Sequence, residues 1–423
     1  MLQLNFTSIL ESKPDKEWQK LFKKHWPAYK AWFESKGAVN KPNLKIAQAK
    51  LEEYMPEWMP TYHKFCELAG NDEIAARFLT GYQPPAYITG CSQVITQKEP
   101  QLVRNYDYHP NLSEGTLLNT AWNGKHVMAI GDCLCGVVDG MNSDGLVASL
   151  TFGGRKVVGQ GFGIPFILRY VLEFCSDVQE GIEALQKIPT HMAYNVMLLD
   201  KTGAFKMLQL APDHKPVLTD MPVSTNHQGE IDWPEHARFS KTVEREKFLF
   251  EALEENQDNE KIAEAFLKKP LFNRRYNEGF GTIYTSVYRP KEGYMELRWP
   301  ENVLKQSFND FEEGELLITY SEREAQAATR HVPTEFAQES YSSEKSYDWE
   351  KWTSNEPGEL AQQVIKTISE AMGASADPMI QKVMEDMQKE TKKRGQIPWE
   401  IMADLWSNMG RIYSNENSSD RNG

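Results

Sequence analysis

A chain of 423 residues with 40% hydrophobic content is long enough for two or three domains and a sizeable core. Its formal net charge of -13, with no basic block, argues against a nucleic-acid binder, because an acidic surface repels phosphates. The opening Met1-Leu2-Gln3-Leu4-Asn5-Phe6 lacks the basic region and apolar run of a secretory signal, and charge or proline breaks every apolar stretch well before the roughly 18 residues of a membrane span. Five scattered cysteines, an odd number, do not make a disulfide framework, so the expected setting is reducing and cytoplasmic.

In chain order, Trp18, Leu21, Phe22, Trp26, Tyr29, Trp32 and Phe33 recur at intervals of three and four, which predicts one aromatic face on a helix between Pro14 and Gly37. A second helical pattern carries Ile46, Leu51 and Tyr54, and a third runs from Tyr62 to Leu79. Gly81-Tyr82-Gln83-Pro84-Pro85 cannot continue a helix. Residues 1–90 therefore read as a helical leader that stops just before Cys91.

From Cys91 to about Arg298 the pattern changes to short β-rich runs: Val127 to Ile130, Gly145 to Phe152, Tyr194 to Asp200 and Phe205 to Gln209. Turns are read at Asp139-Gly140, Ser143-Asp144-Gly145 and Asp200-Lys201-Thr202-Gly203. Helices are expected at Ile164 to Cys175, Val178 to Ile188 and Arg238 to Glu255, and a last hairpin at Gly281 to Tyr288 with Tyr294 to Trp299. Hairpins with helices inserted between them predict a layered α+β domain over 91–322. Residues 323–355 are polar and linker-like. Residues 356–423 hold amphipathic helix candidates, the last with Met402, Leu405, Trp406, Met409 and Ile412, expected to dock on the main domain or on another subunit.

Thr89 to Ile95 reads as a short strand and Gln101 to Tyr108 as its hairpin partner, which places Arg104 and Asp107 beside Cys91. A guanidinium favours a neighbouring thiolate, so Cys91 is the candidate nucleophile. Arg104 and Asp107 stand three apart, and strand residues at that spacing point to opposite faces, so Asp107 is expected just past the strand end. Cys66 and Cys175 lie in helical patterns as small buried hydrophobes. Cys133 and Cys135 with Asp132 raise a metal-binding alternative, but the second ligand pair of a zinc site is missing, and no metal or cofactor is expected. Cutting Gly90-Cys91 would put the thiol and a free α-amine on one residue, and that amine can take the thiol proton at neutral pH.

Cys91, Arg104-Asn105-Tyr106-Asp107, Asp139 to Leu146, Ser224-Thr225-Asn226-His227 and Thr282 to Ser286 occur in the order seen in N-terminal-nucleophile hydrolases of the linear-amide type. From Thr89 to Trp299 the chain resembles the choloylglycine (bile-salt) hydrolase and acyl-coenzyme A:6-aminopenicillanate acyltransferase group, and the leader before Gly90-Cys91 is more similar to the acyltransferase side. The resemblance implies a four-layer αββα sandwich that cuts itself at Gly90-Cys91 and whose leader stays bound. It implies Cys91 as nucleophile, Arg104 against the thiol, Asp107 on the free amine, Asn226 in the oxyanion hole and Arg238 as a further active-site arginine. Bile-salt hydrolases commonly carry an asparagine where this chain has Thr151, whose hydroxyl is the expected substitute donor. The function so implied is an autoproteolytic amidohydrolase or acyltransferase working through a Cys91 thioester on N-acyl amides, penicillin-like compounds or N-acyl amino acids, with an acyl-coenzyme A donor as a further partner. The other reading is an uncleaved, non-catalytic binding protein of the same fold.

Overall fold

The computed structural model describes residues 2–34, 42–255, 258–276 and 280–321. The linker 323–355 and the helix candidates of 356–423 lie outside the described residues. The chain begins with β1 (Leu2–Glu11), then α1 (Lys16–Glu34), α2 (Leu44–Tyr54), α3 (Met59–Leu68) and α4 (Glu73–Leu79). The leader is therefore helical where the aromatic spacing said so, but it opens on a strand. Alternating Leu2, Leu4 and Phe6 supply the reason, because period-two patterning buries one face of a strand.

Seven strands follow: β2 (Gly90–Thr96), β3 (Gln101–Tyr108), β4 (Thr116–Thr120), β5 (Val127–Asp132), β6 (Gly136–Asn142), β7 (Val147–Phe152) and, beyond α5 (Ile164–Phe174) and α6 (Val178–Lys187), β8 (Tyr194–Leu199). Then come β9 (Phe205–Ala211), β10 (His214–Thr219), β11 (Val223–Ser224), α7 (Pro234–Ser240), α8 (Thr242–Glu255) and α9 (Asn259–Ala265). The described chain closes with β12 (Arg274–Arg275), β13 (Phe280–Arg289), β14 (Tyr294–Arg298), β15 (Val303–Ser307) and β16 (Gly314–Tyr320).

Two sheets result. A nine-stranded sheet runs β10-β9-β8-β7-β6-β5-β4-β1-β16, and a seven-stranded sheet runs β11-β2-β3-β13-β14-β15, with β12 on β13. All pairs are antiparallel except β1 with β4. The sheets face each other where β2 meets β7; α5 and α6 cover the outer side of the larger sheet, and α8 and α9 that of the smaller. This is the αββα order expected from the sequence. A separate apolar cluster, Val94, Val103, Val223, Leu249, Ile262, Ala263, Phe266, Leu271 and Val287, glues α8 and α9 to their sheet.

Two local readings change. Asp139-Gly140 is not a turn but the middle of β6, all seven of whose residues are buried; the turn comes after it, where Gly145 takes φ 88°. The helix read from Arg238 to Glu255 is two helices, broken at Lys241 with φ 53° in the left-handed region.

Candidate active site around Gly90-Cys91

Strand β2 pairs with β3 so that Cys91 stands opposite Tyr106 and Gly90 opposite Asp107. Because side chains alternate, Cys91 and Gln93 share one face with Arg104 and Tyr106, while Ser92, Asn105 and Asp107 occupy the other. Gln93 accepts from Ser149 Oγ across the sandwich at 2.7 Å, so the first face is the one between the sheets. Asn105 donates to the carbonyl of Phe266, just past α9, at 2.8 Å, so the second faces the helices. Asp107 is thus inside the strand and not past its end; the pleat separates it from Arg104 as its spacing requires.

Between the sheets, Arg104 Nη2 lies 3.2 Å from Cys91 Sγ. The guanidinium is held there by Leu150 O at 2.9 Å, by Tyr284 Oη at 3.2 Å and by an ion pair with Asp139 on β6 of the facing sheet. Tyr284 and Tyr288 both donate their hydroxyls to Asp139 as well. Burial pushes the Cys91 thiol above its ordinary value; Arg104 works against this and Asp107 adds to it. In the uncut chain the thiol is therefore protonated at neutral pH, and the thiolate expected from Arg104 alone is outweighed by desolvation.

On the helix side, Asp107 Oδ1 accepts from Thr282 Oγ1 at 2.6 Å. Its Oδ2 is buried with no hydrogen-bond partner among the described residues, and the nearest cation is Arg245 Nη1 at 3.6 Å. Burial raises the Asp107 carboxyl above the ordinary carboxylate range, partly offset by Arg245.

Cys91 is gripped through both of its backbone groups. Cys91 N donates to Asn226 Oδ1 at 3.1 Å, and Cys91 O accepts from Arg245 Nη1 at 2.5 Å. Arg245 also donates to Ser92 Oγ at 2.7 Å and to Asn226 Oδ1 at 2.6 Å, which fixes the orientation of the Asn226 amide. Asn226 Nδ2 donates to Phe152 O at 3.1 Å, and an amide nitrogen carries two hydrogens, so one remains for an oxyanion. A Cβ at Gly90 would lie 2.0 Å from Phe280 Cζ, so any larger residue there requires the Phe280 ring to move.

The structure brings Gly90, Cys91, Arg104, Asp107 and Asn226 together. It does not bring Arg238, whose side chain is 75% exposed and, among the described residues, pairs with Glu235 at 3.7 Å. The arginine beside Cys91 and Asn226 is Arg245, because the break at Lys241 ends α7 and starts α8 with its first turn against β2. Thr151 is buried close by but is committed elsewhere: its hydroxyl donates to Thr225 O at 2.8 Å and its oxygen accepts from Asn195 Nδ2 at 3.2 Å. That leaves its proton engaged, and Thr151 is not a ready oxyanion donor. Asp139 is the functional neighbour that local reading missed, since Asp-Gly is a turn signal. Cys133 and Cys135 are buried and free, and no group of three or more metal-ligating side chains occurs among the described residues.

Residues 94–303 match the model of the acyl-coenzyme A:6-aminopenicillanic acid acyl-transferase family, a match that starts three residues after Cys91. The match spans just under half of the chain and makes that stretch similar to a family of acyl-transferring enzymes. Over that stretch it is a relative of the acyl-transferase family, as the motif order implied. No curated protein matches it by sequence. Among solved structures, a mutant of the conjugated bile acid hydrolase from Clostridium perfringens is 15% identical, covering 56% of this chain and 98% of its own, with a TM-score of 0.33. The Caenorhabditis elegans ortholog of N-acylethanolamine-hydrolyzing acid amidase is 15% identical, covering 54% and 100%, with a TM-score of 0.36. Penicillin V acylase from Agrobacterium tumefaciens is 14% identical, covering 54% and 82%, with a TM-score of 0.35. At such scores these superpositions do not bear on function.

Proposed function

We propose that the chain cuts itself between Gly90 and Cys91 and then acts as an N-terminal cysteine enzyme on the C–N bond of linear amides. The observation that carries this reading is the clamp on Cys91: N–H on Asn226, C=O on Arg245, thiol on Arg104, and an unsatisfied Asp107 oxygen at the same strand end.

In the first step the Cys91 sulfur attacks the Gly90 carbonyl, its proton passes to the departing Cys91 nitrogen, and water resolves the thioester. The new α-amine has three donors where the peptide had one. Asn226 Oδ1 keeps the first, and Asp107 Oδ2 gains a cation that neutralises its buried charge. In the second step that amine takes the thiol proton, the thiolate accepts the acyl group of the substrate, and the free Nδ2 hydrogen of Asn226 stabilises the oxyanion.

The substrate class that fits the step is an acyl group on nitrogen, as in N-acyl amino acids, other N-acyl amides or penicillin-like compounds. Water gives hydrolysis; an amine acceptor with an acyl-coenzyme A donor gives transfer. The leader, residues 1–90, stays bound after cleavage, because β1 pairs with both β4 and β16 of the body. No described helix is long and apolar enough to cross a membrane. Five free, buried cysteines fit the reducing conditions of a cytoplasm.

Intact-mass analysis is the test. Wild-type protein is expected as two pieces, residues 1–90 and 91–423, and Cys91→Ala as one uncut chain without amidase activity. A wild-type mass equal to that of the uncut chain, together with no amide turnover by wild type or Cys91→Ala, would sink the proposal and leave the non-catalytic binding protein.

A further inference from the structure

Asn226 is clamped through its side chain by Arg245, and a second clamp acts on its backbone. Asn226 N donates to Thr242 Oγ1 at 2.7 Å. Thr242 is the first residue of α8. Here the same oxygen also lies 2.9 Å from His227 Nδ1 and 2.8 Å from Thr225 Oγ1. The Thr225 hydroxyl in turn donates to Thr242 O at 3.1 Å, which ties the loop to the helix a second time. His227 Nε2 stands 3.3 Å from Glu246 Oε1. A carboxylate can only accept, so Nε2 carries the proton and Nδ1 faces the Thr242 hydroxyl as an acceptor, in competition with Thr225 Oγ1 for its one hydrogen.

The order along α8 gives this cluster its meaning. Thr242, Arg245 and Glu246 are three and four residues apart, so they project from one side of its first two turns. From there they hold, respectively, the Asn226 backbone, the Asn226 side chain and His227. Thr242 and Arg245 are buried, while the His227 and Glu246 side chains are 12% and 27% exposed. The chain Glu246, His227, Thr242 thus runs from the rim of the protein to the main chain of the oxyanion residue.

We infer that Thr242 and His227 are positioning residues for Asn226, fixing through its backbone N–H the place at which its amide meets the reacting carbonyl. This rests on the reading of Cys91 and Asn226 given above. Both side chains act through Asn226 and not on the Gly90-Cys91 peptide directly. A misplacement of a catalytic group by about 1 Å costs on the order of a hundredfold in rate, so the loss of one hydroxyl that sets that place is expected to be visible in kcat.

The self-cleavage reaction makes the test independent of an unidentified substrate. Refolded precursor is sampled over time and the uncut fraction read by intact mass, for wild type, Cys91→Ala, Thr242→Val, Thr242→Ser, His227→Phe and His227→Asn. Thr242→Val and His227→Phe are expected to cleave about tenfold to a hundredfold more slowly than wild type. Thr242→Ser keeps the hydroxyl, and His227→Asn keeps an acceptor at the Nδ1 position; both are expected within about threefold of wild type, a rescue that loss of packing would not produce. If Thr242→Val does not fold, the part-exposed His227 pair decides. Wild-type rates in both Thr242→Val and His227→Phe, with Cys91→Ala uncut, would overturn this inference and leave the reading of Cys91 standing. A wild-type chain that never cuts overturns that reading itself.

Discussion

The two faces of the β2–β3 hairpin carry one arginine-carboxylate arrangement each, and they are finished to different degrees. Between the sheets, Arg104 and Asp139 form a close pair, two tyrosine hydroxyls fill out the carboxylate, and a backbone carbonyl fills out the guanidinium. Toward the helices, Asp107 and Arg245 stand 3.6 Å apart and one carboxylate oxygen has no hydrogen bond among the described residues. A buried ion pair is tolerable when its remaining lone pairs and protons are satisfied, and expensive when they are not. The first face is complete before any chemistry; the second is complete only if a further cation arrives at the end of β2. Arg104 and Asp139 thus hold the fold of the uncut chain, while Asp107 is the residue that the proposed cleavage would complete.

Three substitutions in the uncut Cys91→Ala background test that distinction. Asp139→Ala should have the largest effect, because it strands Arg104 as an unpaired buried cation; chemical denaturation is expected to show a loss of about 3–5 kcal/mol. Equal stability to the parent would mean that the inner face is not finished in the sense argued.

Asp132 offers an intermediate case away from the nucleophile. Its Oδ1 and Glu114 Oε1 both face the Tyr29 hydroxyl of α1, at 3.0 and 2.7 Å, and burial followed by Glu114 pushes the Asp132 carboxyl up to about 7. A folded value above the unfolded one means that the native state loses stability as pH rises between the two, from about 4 to about 7. Asp132→Asn removes the charge, so a gain of about 1–3 kcal/mol is expected at pH 8 and none at pH 4, read from urea midpoints at both. A gain of the same size at pH 4 would show that packing, not charge, is responsible.

Asp107→Asn is expected to be the mildest, within about 1 kcal/mol of its parent, since the lost attraction to Arg245 is offset by removal of an incompletely paired buried charge. The Asp107 carboxyl is raised by burial, so the parent should lose stability as pH rises through that raised value, and the variant should lack this slope. In the Cys91 wild-type background the same change is expected to lower amide turnover, because the α-amine loses its counter-ion. A large destabilisation of the uncut chain would erase the difference between the two faces.

Much of the site was legible because strand pairing is local. The alternation around Gln97 to Pro100 sets the β2–β3 register, and register alone puts Cys91, Arg104 and Asp107 in one neighbourhood. Asn226 came from motif order, not from spacing, since 135 residues separate it from Cys91. What local reading missed has a common cause. Arg238 and Arg245 are seven residues apart and would share a face of one continuous helix; only the left-handed Lys241 decides which turn meets β2. Asp139 reads as the first half of a turn unless the burial of its whole strand is known. The strand β1 had a period-two signal of its own, but its partners, β4 and β16, lie far along the chain, and such pairing cannot be read from a short window.

The place of that strand has a practical consequence. In the nine-stranded sheet β1 lies between β4 and β16 and is an inner strand, not a border. A gene trimmed to start at Cys91 would therefore encode a sheet with an unfilled slot, exposing two open edges to any other chain in the cell. Under the proposed self-cleavage, making the cut form in a laboratory would call for expressing the whole chain, or supplying residues 1–90 as a separate polypeptide that folds together with the rest.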